Sequence, residues 1–464
     1  MTLAWEIDGF LESKGGRLAM DGVDVSELAR EHGTPLFIFS KRRIATNIDR
    51  IRRCFDEQPL RICYASKANS VTGILKAVKD SGADIEVNSG GELFKALHAG
   101  FRPSQIVFNG TSKTEREISE AVSAGIYAIQ ADSIFEIERI EKVASSLKRR
   151  AKVSLRLVPE ISTDTLHGLQ TALLTSKFGM MRAEAVEAFS QWPEDHPAID
   201  LCGLHLHIGS QTPDPEPYSE AFQVLYSQLK DIHRATGRKV RHINVGGGFP
   251  VNYLRDDSGT DSLNESQKRL FRSVFDPSEA LANGWAAVCA SARAEGLEEL
   301  VEDLELLVEP GRSVIADAGV CLATIENKKH RPLGGDTDTW LLTDAGFNIL
   351  LSMETYKWYY ELVAAERLSA LHGTRYRMAG PLCDGGDVYF DIEGKGRLPD
   401  HRLLPEGMRP GDLIALLNCG AYSVAQMFPY NGRQLPAVVL VGEDGAARII
   451  RERDSYEDLL MNEV

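Results

Sequence analysis

Short apolar runs alternate with amphipathic stretches from about residue 60 to residue 310. The apolar runs are residues 62–66, 84–87, 106–109, 127–131, 153–158, 202–208, 242–246 and 306–309, each of strand length. Between them, segments such as 71–81, 91–99 and 114–124 repeat apolar residues every three to four positions, the period of a helix with one buried face. Eight such alternations predict an α/β fold built on a (β/α)8 TIM barrel, with a doubly wound open sheet as the rival. After Gly311 the pattern changes. Runs at 414–417 and 437–441, with Pro/Gly turns at 405–407 and 410–411, predict a mostly β second domain. The run 36–39 is a strand outside the count of eight, free to pair with the C-terminal sheet. The expected organisation is therefore an N-terminal segment, 1–40, joining the β domain; a barrel, 41–311; and a C-terminal β domain, 312–464. Residues 256–262 read as a polar surface loop.

Composition narrows the partners. Lys and Arg number 52 against 67 Asp and Glu, a net charge of −15, which disfavours nucleic acid as the main partner. No run of about 18 apolar residues is long enough to span a membrane, and residues 1–20 lack the apolar core of a signal peptide. Seven cysteines, none in a CxxC pair, suggest neither a zinc knuckle nor a disulfide framework. A cytoplasmic protein is the expectation.

In such a barrel the chemistry lies at the C-terminal ends of the strands. There the sequence places Lys67, Gly90 and Gly91, His205 and His207, Gly246, Gly247 and Gly248, and Glu309 with Arg312. A lysine at a barrel mouth can lose solvent and become an amine nucleophile for a carbonyl, or simply stay solvated. Three glycines after the seventh strand fit either an anion cradle or a tight turn. Glu309 ends an apolar strand and needs a partner, either a protonated ring nitrogen or Arg312. His205 and His207 share strand parity. No carboxylate or cysteine lies at ligand spacing from them, so no metal is expected. One imidazole stacked on a flat cofactor, with the other as packing, fits better.

Read together, Tyr64-Ala65-Ser66-Lys67-Ala68-Asn69, His207-Ile208-Gly209-Ser210, Asn244-Val245-Gly246-Gly247-Gly248-Phe249, Glu309-Pro310-Gly311-Arg312, Gly380-Pro381-Leu382-Cys383-Asp384-Gly385-Gly386-Asp387 and Gly420-Ala421-Tyr422 resemble the pyridoxal-phosphate decarboxylases of the alanine-racemase-like barrel fold. Ser176-Lys177-Phe178-Gly179 is similar to diaminopimelate decarboxylases. The Cys383 block and Asp454-Ser455-Tyr456-Glu457-Asp458 are similar to D-ornithine/D-lysine decarboxylases. The resemblance implies pyridoxal 5'-phosphate held covalently by Lys67, with Glu86 near the lysine and His207 stacked on the ring. It implies a phosphate site at Ser210, Gly247, Gly248 and Tyr422, and Glu309 facing the ring nitrogen. It further implies Arg312 at a substrate carboxylate or the phosphate edge, Cys383 from a partner subunit acting at the carbanion, and Asp384 meeting a substrate amine. A head-to-tail homodimer acting on an amino acid follows, with catalytic roles for Lys67, His207 and Cys383.

One departure bears on substrate. Diaminopimelate decarboxylases carry an arginine after their Asp-Ala-Gly motif to grip the far carboxylate. Here Asp344-Ala345-Gly346 is followed by Leu351-Ser352-Met353-Glu354, with Ser352 in that place. Serine cannot reproduce a bidentate guanidinium. Tyr356 matches the family's substrate-side tyrosine. The expected substrate is therefore a basic D-amino acid such as D-ornithine or D-lysine, with Asp384 and Glu354 receiving the distal ammonium. The alternatives are meso-diaminopimelate, giving L-lysine, and an amino-acid conjugate. A non-catalytic cofactor-binding barrel would lack Cys383 and the second domain.

Overall fold

The computed structural model describes residues 9–55, 58–254, 260–272, 275–333 and 336–464. The chain divides into two units. One comprises Asn47–Pro250 and Val274–Ser313; the other comprises Met1–Thr46, Val251–Ser273 and Val314–Val464. The segment Val251–Ser273 thus falls with the second unit although it lies between two barrel strands in sequence. Of the 256–262 loop, residues 256–259 lie outside the described residues.

The first unit is a closed barrel of eight parallel strands. They are β1 (Leu60–Ala65), β2 (Asp84–Val87), β3 (Ile106–Phe108), β4 (Ala128–Ala131), β5 (Ala151–Arg156), β6 (Ile199–His205), β7 (His242–Asn244) and β8 (Glu305–Val308). All eight expected strands are present, displaced by up to three residues, and they close into a barrel rather than an open sheet. Helices follow them with local signals that fix their starts. Ser89 accepts from the Glu92 N–H, and Thr114 with Glu117 forms a capping box.

The barrel interior is layered. At the N-terminal end, Arg61 bonds Asp84 and Glu305, and the Tyr127 hydroxyl reaches Glu305 and His242 Nδ1. Above them Cys63, Val107 and Leu307 form an apolar layer. The next inward positions, at the C-terminal end, are polar and buried: Glu86, Asn109, Gln130, Ser154, Arg156, His205, Asn244 and Glu309. Burying that many polar groups costs free energy that packing alone does not require. In β6 the register slips between Leu201 and Gly203, a bulge at the level of the N-terminal layer. Gly203 is required there, because a Cβ would come 1.9 Å from His242 Nε2.

The second unit is mostly β. A nine-stranded sheet contains Leu36–Ser40 between Gly319–Leu333 and Ala437–Val441, so the N-terminal strand does join the C-terminal sheet. Alternate residues (Leu36 and Ile38, Val320 and Leu322, Val439 and Val441) pack into one core with Leu18, Met20 and Leu28. The intervening Phe37, Phe39, Cys321 and Val438 are buried as well, so both faces of these central strands are covered. A three-stranded sheet, Leu11–Lys14, Arg17–Met20 and Val23–Asp24, adds to that core. Among the described residues no helix is long and apolar enough to cross a membrane.

Candidate active site

Lys67 sits in a 3-10 turn, Ser66–Ala68, directly after β1. Its neighbours Ser66 and Ala68 are buried while its own side chain is accessible. The turn is anchored by Glu92, whose Oε2 accepts from Ser66 Oγ at 2.7 Å and from the Asn88 N–H at 2.8 Å.

Two buried carboxylates, Glu86 on β2 and Glu309 just past β8, are tied together by one amide. Asn109 Nδ2 donates to Glu86 Oε1 at 2.8 Å and to Glu309 Oε2 at 2.9 Å. Asn244 Nδ2 donates to Glu309 Oε1 at 2.7 Å, and His205 Nε2 lies 3.4 Å from Glu309 Oε2. Burial alone would raise Glu309, but His205, Lys67 and the Asn244 hydrogen bond outweigh it and bring the carboxyl down to about 2. Glu86 goes the other way. Burial and the charges of Glu309 and Glu92 exceed the opposing pull of Lys67 and Asn109, and lift it to about 8. Glu309 is therefore an anion at neutral pH.

His207 lies just beyond β6. Burial, with Lys67 and Arg156 nearby, pushes its imidazole well below the usual range. Its Nδ1 accepts the Gly247 N–H at 3.1 Å, so the neutral ring carries its proton on Nε2. The glycine loop packs backbone to backbone. Gly246 and Gly248 have φ of +69° and +92°, and a Cβ on Gly248 would lie 2.3 Å from the Gly209 carbonyl. Asn244 Oδ1 accepts from Gly246 N at 2.9 Å, coupling this loop to Glu309. Ser210, after β6, accepts from Arg312 Nη2 at 3.3 Å.

This end of the barrel therefore holds an accessible amine, a buried anion, a neutral flat ring and a side-chain-free loop. Against known proteins, residues 41–316 match the family model "Pyridoxal-dependent decarboxylase, pyridoxal binding domain". The chain belongs to the pyridoxal-dependent decarboxylases. It is 31% identical over 453 residues to the diaminopimelate decarboxylase of Methanothermobacter thermautotrophicus, covering 96% of this chain and 95% of that one. It is 31% identical to that of Neisseria meningitidis serogroup A, covering 96% and 99%. The solved diaminopimelate decarboxylase of M. jannaschii in complex with L-lysine superposes with a TM-score of 0.84 at 29% identity, over 100% of this chain and 98% of that one.

The decarboxylase is thus a carboxy-lyase acting on an amino acid, and its cofactor is pyridoxal phosphate. These relatives favour the diaminopimelate alternative over the D-ornithine/D-lysine expectation. The barrel residues fit the cofactor. A Cβ on Gly247 or Gly248 would strike the Glu309 or Gly209 carbonyl, so only glycine lets this loop run so close to the neighbouring backbone at the mouth of the barrel. The ionised Glu309 suits a protonated ring nitrogen. Gly247→Ala is expected to drive a Cβ to 2.1 Å from the Glu309 carbonyl oxygen. Weakened cofactor affinity and a loss of about 1–3 kcal/mol of stability should follow, read by cofactor titration and thermal melting.

The structure brings eight of the expected residues to the barrel unit: Lys67, Glu86, His207, Ser210, Gly247, Gly248, Glu309 and Arg312. Glu354, Tyr356, Cys383, Asp384 and Tyr422 belong to the β unit. There the Cys383 side chain is exposed and its N–H donates to Asn431 Oδ1 at 2.7 Å. Glu354 and Asp384 converge on Gly386, whose Cβ would lie within 3.4 Å of a carboxylate oxygen of each. Glu354 also pairs with the buried Lys357 at 2.6 Å. His205, read as packing, is instead a neighbour of Glu309. Glu309's partners are two asparagines and this histidine. Sequence reasoning missed Asn109, Asn244 and Arg156, the last stacked 4.2 Å from the Phe178 ring of the Ser-Lys-Phe-Gly motif. Among the described residues no cluster of three or more His, Cys, Asp or Glu could hold a metal.

Proposed function

We propose that this enzyme decarboxylates meso-diaminopimelate, giving L-lysine and CO2. The observation that carries the reading is likeness along the whole chain to enzymes of that name, 31% identical over 96% of this sequence. Bound pyridoxal phosphate supplies an electron sink for the pair left on Cα when CO2 departs.

The chain's own groups divide the remaining work. Lys67 Nζ would hold the cofactor aldehyde, and His207 would stack on the ring. Ser210, the Gly247 and Gly248 backbone and Tyr422 would hold the phosphate. Glu309, an anion, would keep the ring nitrogen protonated. Arg312 meets a substrate carboxylate or the phosphate edge. Cys383, serving the partner's site in a homodimer, returns a proton to Cα. Tyr356, Glu354 and Asp384 receive the distal end of the substrate, whose ammonium suits the two carboxylates that converge on Gly386. Seven free thiols suit a cytoplasmic enzyme.

A second reading, decarboxylation of D-lysine or D-ornithine, is favoured by one observation. Ser352 is buried where an arginine would grip a far carboxylate, and Glu354 and Asp384 are acidic. CO2 release across meso-diaminopimelate and both enantiomers of lysine and ornithine separates the two. The highest kcat/KM is expected for meso-diaminopimelate. A higher value for D-lysine or D-ornithine overturns the reading in favour of the second.

A further inference from the structure

The two site carboxylates are unequally satisfied. Glu309 receives the Asn244 and Asn109 amides, one on each oxygen, with His205 Nε2 beside them. Among the described residues Glu86 receives the Asn109 amide on Oε1, and its buried Oε2 meets no protein hydrogen-bond donor. Donors stabilise the ionised form of a carboxylate, and a buried oxygen without one stabilises the acid. Two carboxylates joined through a single amide nitrogen do not both ionise cheaply in a dry site.

We infer that Glu86 carries a proton in the resting enzyme at neutral pH, and that Asn109 is the positioning residue that sets the pH at which this proton leaves. The inference goes beyond the choice of substrate and holds for any amino acid the enzyme takes. The charged groups around Glu86 come from four elements: Lys67 after β1, Glu92 on the helix Gly90–His98, Glu309 after β8 and Arg156 at the end of β5. Of these, Lys67 and Arg156 favour ionisation, while Glu309 and Glu92 oppose it. With the proton on Glu86 and Glu309 ionised, the carboxylate pair carries one negative charge rather than two beside Lys67 and Arg156. Asn109 holds Glu86 within a useful range, because its single hydrogen bond is the stabilisation that the carboxylate retains.

The sign of the pH effect follows. Glu86 is lifted to about 8 from a usual 4.5. Its contribution to stability is therefore fully present below about 4.5 and is lost as the pH rises through about 8.

The test uses the purified full-length holoenzyme. The infrared spectrum at pH 7 is expected to show a protonated-carboxyl band that Glu86→Gln lacks and that disappears near pH 8. Thermal melting across pH 5–9 should show wild type losing stability relative to Glu86→Gln as the pH rises. Asn109→Leu, which removes the donor, should move the titration midpoint up by about one pH unit. A merely structural role would lower the melting temperature at every pH and leave the midpoint in place. Asn109→Ser, which retains at most one donated bond, is expected to shift the midpoint in the same direction and serves if the leucine variant does not fold. Equal bands or equal pH slopes in wild type and Glu86→Gln would overturn the proton on Glu86. A midpoint that stays or falls in both Asn109 variants would overturn the role of Asn109.

Discussion

Lys67→Ala is expected to yield a colourless protein whose kcat/KM for CO2 release is reduced at least about 10³-fold. The yellow of bound pyridoxal phosphate depends on a covalent link to an amine, and Lys67 Nζ is the amine that the turn Ser66–Ala68 presents at the mouth of the barrel. The fold should survive. The turn is held by Ser66 and Asn88 to Glu92, and those hydrogen bonds do not involve the lysine side chain. The melting temperature without cofactor should therefore stay near that of wild type without cofactor, while absorbance and activity vanish together. A colourless variant that released CO2 at the wild-type rate would remove Lys67 from the chemistry.

Glu309→Gln should separate cofactor binding from catalysis. The side chain keeps its size, so the colour is expected to remain. A neutral amide, however, cannot hold a proton on the ring nitrogen as an anion does, and a loss on the order of 10²–10³ in kcat is expected. The variant also meets a hydrogen-bond conflict. Asn109 and Asn244 each donate to a different Glu309 oxygen, and a glutamine has only one acceptor for them. One donor would be left facing an NH2 group, at a cost of about 1–3 kcal/mol. Full activity in this variant would mean that the ring nitrogen has no need of the buried charge.

Much of the fold was legible because most barrel strands lie in short apolar runs separated by amphipathic helices. The N-terminal strand Leu36–Ser40 stood out as one run too many, and it pairs with the C-terminal sheet. Strand ends were misjudged where a polar signature extends the run. His207 and Glu309 both lie past the last paired residues of their strands. The segment Val251–Ser273 has no composition that marks it off from the barrel around it, so its place in the β unit was not readable. In the site, residues with unusual chemistry were visible one at a time. Their partners were not. Asn109 follows a strand and Asn244 ends one, places where asparagine is also an ordinary turn residue. Only closure of the barrel sets Asn109 between two carboxylates 23 and 200 positions away. Arg156 was hidden in the same way, as a charged residue at the end of an apolar strand whose stacking partner, Phe178, belongs to a distant loop.

The most direct test of the account is to reduce the native holoenzyme with borohydride, digest it and locate the pyridoxyl group by mass spectrometry. The group should sit on the peptide containing Lys67 and on no other. Its recovery on a different lysine, or on none, would contradict the site at its foundation.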